Sequence, residues 1–145
     1  MIRVRVFVPV LCTVLIGACS DGARQTDVAD GEGQTEQAAS GEYRNISVSE
    51  LQAMLEDKDF PLINVHVPFE GDLPGTDDSI PFDQIGQHLD RLPADRDATI
   101  VLYCRSDRMS REAAAELVRL GYTDVRNLSG GFIAWRAAGL PMEGL

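Results

Sequence analysis

The chain has 145 residues, 44% of them hydrophobic and 25% charged, with 13 basic against 23 acidic side chains for a formal net charge of −10. That length suits one domain with some additional chain. The acidic excess argues against nucleic-acid binding and against direct electrostatic adhesion to anionic lipid.

Met1 to Arg5 is a short basic start, and residues 6–16 form an uncharged apolar run. The run falls short of the about 20 residues that a membrane-spanning helix needs, and it suits the h-region of a secretory signal. It ends in Leu15-Ile-Gly-Ala-Cys19, and small residues ahead of a cysteine resemble the lipobox of bacterial lipoproteins. The resemblance implies cleavage after Ala18, lipid on Cys19, and a periplasm-facing chain that meets the membrane through that lipid only. Ser20 is not the aspartate that resembles an inner-membrane retention signal, which favours the outer membrane. The expected division is residues 1–18 as signal peptide, 19–42 as lipidated flexible linker and 43–145 as the folded domain. The linker holds Val28 as its one β-branched aliphatic residue and no aromatic one, too little apolar surface to order itself. Losing Arg3 and Arg5 with the signal leaves 11 basic against 23 acidic residues, a net of −12.

Cys12 lies in the removed segment and Cys19 is blocked, so Cys104 is the one thiol left. No disulfide framework, cysteine-based zinc site or other cofactor is expected, and an unpaired cysteine in an exported protein is a free thiol or a dimer link.

Within the domain, Ser47-Val-Ser-Glu50 is a capping box, with Leu51, Met54 and Leu55 giving the following helix an apolar face. Residues 62–67 form a β-rich run between Pro61 and Pro68. Residues 70–81, with Gly71, Pro74, Gly75 and Pro81 among acids, read as a loop, and 82–92 as a helix with Ile85, Leu89 and Leu92 on one side. Residues 99–103 are a continuous apolar strand suited to burial on both faces. Residues 110–120 form a helix stopped by Gly121, 124–128 a strand, and 130–139 a last helix ended by Gly139 and Pro141. Alternating strands and helices predict an α/β fold with a mostly parallel sheet, in which ligands sit beyond the carboxyl ends of the strands.

Cys104 lies at such an end. The polar segment Arg105-Ser-Asp-Arg-Met-Ser110 follows, and then a helix start. Backbone N–H groups and a helix N-terminus aimed at sulfur stabilise its anion and make a seat for a small anion. On periodicity alone, a buried structural cysteine fits equally well.

The strand-to-Cys104 junction, Arg105-Ser106, the following helix, Val125-Arg-Asn-Leu-Ser-Gly-Gly131-Phe-Ile-Ala-Trp135 and Gly139-Leu-Pro141 together resemble the single-domain rhodaneses, a sulfurtransferase family. The resemblance implies a rhodanese-like three-layer α/β fold with a five-stranded, mostly parallel sheet. It implies Cys104 as the nucleophile that takes a sulfane sulfur from a thiosulfate-like donor, holds it as a persulfide and passes it to cyanide or a thiol. Arg105, Ser106, Asp107, Arg108, Met109 and Ser110 would form the substrate-binding loop, with no metal. A protein sulfur acceptor, a persulfide carrier and a catalytically silent binding module are the alternatives.

A phosphatase loop would need arginine six positions after the cysteine, where Ser110 stands; Arg111 comes one residue late. Four features depart from the family pattern: Asp107 for a common glycine, Met109 for a common arginine, Asn64-Val-His66 for Asp-Val-Arg, and Asp72 for a common histidine. The Asp107 carboxylate is expected to oppose a bound dianion. His66 is expected to be a hydrogen-bonded strand histidine and His88 a solvated one. Glu70, Asp72, Asp77, Asp78 and Asp83 are expected to form a solvated acidic loop, because their spacing is not that of an EF-hand. Phe132 and Trp135 are expected in the core.

Overall fold

The structure is a computed structural model describing residues 42–145. The expected signal peptide, Cys19 and almost all of the expected linker lie outside the described residues.

Five parallel strands form one sheet in the order β1-β5-β4-β2-β3. The strands are β1 (Arg44–Ile46), β2 (Leu62–Asn64), β3 (Asp78–Ser79), β4 (Ile100–Tyr103) and β5 (Val125–Leu128), and the helices are α1 (Val48–Glu56), α2 (Arg108–Arg119) and α3 (Gly131–Ala137). The apolar run of β4 takes the centre, where all four residues are buried, with β2 and β5 on either side. Alternation along β4 sorts its side chains to two faces. Ile100, Leu102 and Cys104 pack with Ala113, Ala114 and Leu117 of α2 and with Ile85 and Leu92. Val101 and Tyr103 pack with Leu51 of α1 and Phe132 and Trp135 of α3. The three-layer architecture therefore stands as the sequence predicts, and each fully buried leucine on β4 or α2 contributes about 1.5–3 kcal/mol of burial.

The Ser47 capping box is present in full. Glu50 N donates to Ser47 Oγ at 3.2 Å, and Ser47 N donates to Glu50 Oε2 at 2.7 Å. Such a cap is worth about 1 kcal/mol. Burial of Phe132 and Trp135 agrees with their expected core role.

Four local expectations are corrected. β3 lies inside the segment predicted as a loop and, like β1 ahead of the Ser47 box, is a short edge strand. Residues 82–92 form not one helix but two 3-10 turns, Ile85–Gln87 and Leu89–Arg91, separated at His88, whose φ of −117° and ψ of 38° are not helical. α2 begins at Arg108, two residues early, because Arg111 N donates to Asp107 O at 2.9 Å. The acidic segment is tied down: Asp72 accepts from Asn64 and Tyr103, Asp77 from Lys58 and Leu62 N, and Asp78 from Arg91.

Candidate active site

β4 delivers Cys104 to the carboxyl end of the sheet, and the chain turns at once into α2. The reversal needs an unusual backbone: Asp107 has φ +126°, and it is the one non-glycine residue with positive φ among the described residues. Glycine takes such a conformation without steric cost, and a residue with a Cβ needs compensating contacts. Asp107 has them. Its Oδ2 accepts from Gly130 N at 2.9 Å and its Oδ1 from Asn127 Nδ2 at 3.1 Å. The carboxylate thus meets donors of β5 and the β5–α3 turn. Asn127 Nδ2 also donates to Asn45 Oδ1 at 2.9 Å, so β1, β5 and the turn after Cys104 share one polar chain.

The strained turn aims donors at the sulfur. Asp107 N donates to Cys104 Sγ at 3.2 Å, and Ser110 Oγ lies 3.3 Å from the same sulfur. Ser110 is fully buried, and its hydroxyl also reaches Asp107 O at 3.0 Å. One hydroxyl hydrogen serves one acceptor at a time, and a charged sulfur is the stronger acceptor. Cys104 itself is 1% exposed. A chemically balanced picture follows: a nearly buried sulfur with two donors, at the N-terminal end of a twelve-residue helix.

The carbonyls of the turn are clamped from the opposite side. Phe132 N donates to Cys104 O at 3.0 Å and Ile133 N to Arg105 O at 3.1 Å. The clamp requires glycine at the start of α3. A Cβ on Gly131 would collide with Cys104 O and stand 2.7 Å from Arg105 C and O.

The predicted loop residues divide. Arg105 and Ser106 are exposed on the turn, and Asp107 is half-buried. Arg108, Met109 and Ser110 form the first turn of α2, and Met109 packs against the α2-side core. Arg105 Nη1 donates to Glu70 Oε1 at 3.2 Å, and Arg108 Nη1 donates to Glu112 Oε1 at 2.9 Å. Arg111 turns to Tyr43, donating from Nε to the phenol at 3.0 Å. His66 comes close through the β2 end: its Nε2 donates to Glu70 Oε1 at 3.2 Å, and its ring stands edge-on to Phe132 at 5.5 Å. Hydrogen bonding from His66 and the charge of Arg105 hold the Glu70 carboxyl below the usual carboxylate range. Sequence reasoning assigned no role to Glu70, Asn127, Gly130 or Gly131 here. Only the glycine pair carried a signal, as a demand for backbone freedom beside another chain segment.

Under the site, Tyr103 joins the polar contacts of the β2–β3 connection. Its hydroxyl accepts from Leu73 N at 3.1 Å, lies 2.8 Å from Thr76 Oγ1 and donates to Asp72 Oδ1 at 3.1 Å. Burial pushes its phenol far above the ordinary tyrosine value.

Comparison with known proteins agrees with this geometry. Residues 47–138 match the family model described as a rhodanese-like domain. A sulfurtransferase of Allochromatium vinosum is 37% identical over 99 residues, covering 66% of this chain and 90% of that protein. The thiosulfate sulfurtransferase GlpE of Vibrio cholerae is 29% identical over 101 residues, covering 70% of this chain and 95% of that protein. The crystal structure of a rhodanese-like domain protein from Staphylococcus aureus superposes with a TM-score of 0.58 at 26% identity, and the match spans 70% of this chain and 99% of that one. On the sheet order, the placement of Cys104 and the span of the match, the chain belongs to the rhodanese-like domain family.

Proposed function

We propose that this protein is a sulfurtransferase that moves a sulfane sulfur from a thiosulfate-like donor to a thiophilic acceptor through a persulfide on Cys104. The observation that carries this reading is the seat of Cys104 Sγ, with Asp107 N at 3.2 Å and Ser110 Oγ at 3.3 Å. In the first half-reaction the Cys104 thiolate forms an S–S bond to the outer sulfur of thiosulfate. The donor's S–S bond breaks and sulfite departs with the electron pair, leaving an anionic persulfide on the enzyme. The two donors around Sγ would stabilise negative charge on sulfur without rearrangement. In the second half-reaction cyanide or a thiolate attacks the outer sulfur, and Cys104 returns as thiolate. Phosphate-ester chemistry is disfavoured, because Ser110 stands where the phosphate-binding arginine belongs and Arg111 is engaged with Tyr43.

Intact mass tests the reading. Thiosulfate treatment is expected to add about 32 Da, one sulfur, to the protein. Cyanide should remove it, Cys104→Ser should never acquire it, and Ser110→Ala should acquire it about tenfold more slowly. Equal behaviour of wild type and Cys104→Ser defeats sulfur transfer. An adduct that cyanide cannot discharge favours a carrier that hands its sulfur to a protein. That variant draws support from Phe69 and Ile133, 54% and 49% exposed, which adjoin the Glu70–Arg105 contact and the Arg105 carbonyl.

The sequence run ending in Cys19 supports a periplasmic protein held by lipid, with the outer membrane favoured. Loss of membrane association in Cys19→Ala, scored by cell fractionation, is the expected result.

A further inference from the structure

The arginines of the turn after Cys104 and of the first turns of α2 already have partners. Arg105 pairs with Glu70 at 3.2 Å and Arg108 with Glu112 at 2.9 Å, while Arg111 donates to Tyr43 and feels the charge of the Asp107 carboxylate without pairing with it. Three guanidinium groups and three carboxylates leave the segment formally neutral. A dianion gains little from cations whose field is cancelled at a few ångströms.

The three carboxylates are not equivalent. Glu112 sits one helical turn beyond Arg108 on the same helix, a local pair that no other segment supports. Asp107 is occupied by Asn127 and Gly130. Glu70 instead arrives from the connection after β2, 35 residues away in sequence, and is braced from behind by His66. The His66 side chain is 6% exposed and its ring stands edge-on to Phe132, so the brace comes from the buried side of Glu70. Glu70 is thereby presented to the one guanidinium that directly follows the nucleophile.

We propose that Glu70 determines the donor class at Cys104: by occupying Arg105 it disfavours dianionic thiosulfate and favours sulfane donors of lower charge, namely organic persulfides. The proposal rests on the sulfur-transfer reading. With a protonated organic persulfide, the Cys104 thiolate bonds to the outer sulfur as the donor's S–S bond breaks. The donor leaves as its thiolate, and the proton stays on the transferred sulfur. Atoms and charge balance, and no outside oxidant or reductant is needed.

The test compares second-order rates of Cys104 adduct formation with thiosulfate and with the persulfide of 2-mercaptoethanol. Wild type, Glu70→Gln and Glu70→Gln/Arg105→Gln are measured at low and high ionic strength. Glu70→Gln is expected to raise the thiosulfate-to-persulfide rate ratio by about threefold at low salt. The gain should shrink in high salt and vanish in the double variant. An unchanged ratio in Glu70→Gln overturns the proposal, as does a gain that persists without Arg105. If wild type reacts with the organic persulfide and Glu70→Gln leaves the ratio unchanged, only the role of Glu70 falls. If neither donor modifies wild-type Cys104, the sulfur-transfer reading falls and takes this proposal with it.

Discussion

Two strand ends meet at the site, and they are built by different means. The β4 end is held largely through main-chain groups: Asp107 N faces the sulfur beside the Ser110 hydroxyl, and Phe132 N and Ile133 N grip the carbonyls of Cys104 and Arg105. The β2 end is held by side chains. Asn64 donates to Gly71 O at 3.1 Å and Asp72 Oδ1 at 2.9 Å and accepts from His66 N at 2.9 Å, and His66 leads on to Glu70 and Arg105. Backbone groups are the same in every residue, so these main-chain contacts to Cys104 and Arg105 do not depend on which side chains the turn carries, although the turn itself also rests on the Asp107 carboxylate and the Ser110 hydroxyl. Side-chain links depend on identity, so the β2 end is where charge around the site can be tuned.

The largest effect should come from breaking the main-chain clamp. Gly131→Ala places a Cβ against the Cys104 and Arg105 carbonyl groups at a position with φ +53°. We expect a loss of at least about 3 kcal/mol in urea unfolding. A loss below about 1 kcal/mol would mean that the turn yields freely and the clamp is soft.

Breaking the side-chain end should cost less and leave the nucleophile in place. Asn64→Ala strands Gly71 O and His66 N in a site where Asn64 is 1% exposed. The expected cost is about 2 kcal/mol in the same unfolding assay. The folded variant should still form the Cys104 adduct. If it does not, the two ends are not separable.

Asp124→Asn probes the opposite end of the sheet and sharpens the contrast. Hydrogen bonds from Arg126 and then Thr99 hold the Asp124 carboxyl below its ordinary value of 3.8. A depressed folded-state value gives stability that is present above the unfolded value and lost as pH falls through the folded one. The variant should therefore be about 0.5–1 kcal/mol less stable at neutral pH. The difference should close as pH drops below 3.8, and adduct formation should be unaffected. A pH-independent difference would assign the effect to packing instead.

Much of the β4 end was legible in the sequence. An apolar run, a cysteine, a polar turn and a helix former are local signals, and so are the Ser47 box and the Gly139-Leu-Pro141 stop. For Asp107 the sequence shows an acid beside the site but not its partners: its oxygens accept from Gly130 N and Asn127, which only the fold brings to it. The β2 end was not legible. The Glu70–Arg105 pair and the Asn64–Asp72 link join residues brought together only by the sheet. β3 and the 3-10 turns escaped because two polar residues carry no periodicity and because a helical apolar spacing survives when the backbone between its turns is broken.

Ser110 carries a last consequence. Its oxygen stands between Cys104 Sγ at 3.3 Å and Asp107 O at 3.0 Å, so a simple torsion of its hydroxyl moves the hydrogen from one to the other. If Cys104 takes up and releases sulfur as proposed, the hydrogen-bond polarity beside Sγ can follow the change by rotation of one hydroxyl. The proposed cycle would then find its donor already in place, with only a hydrogen to reorient.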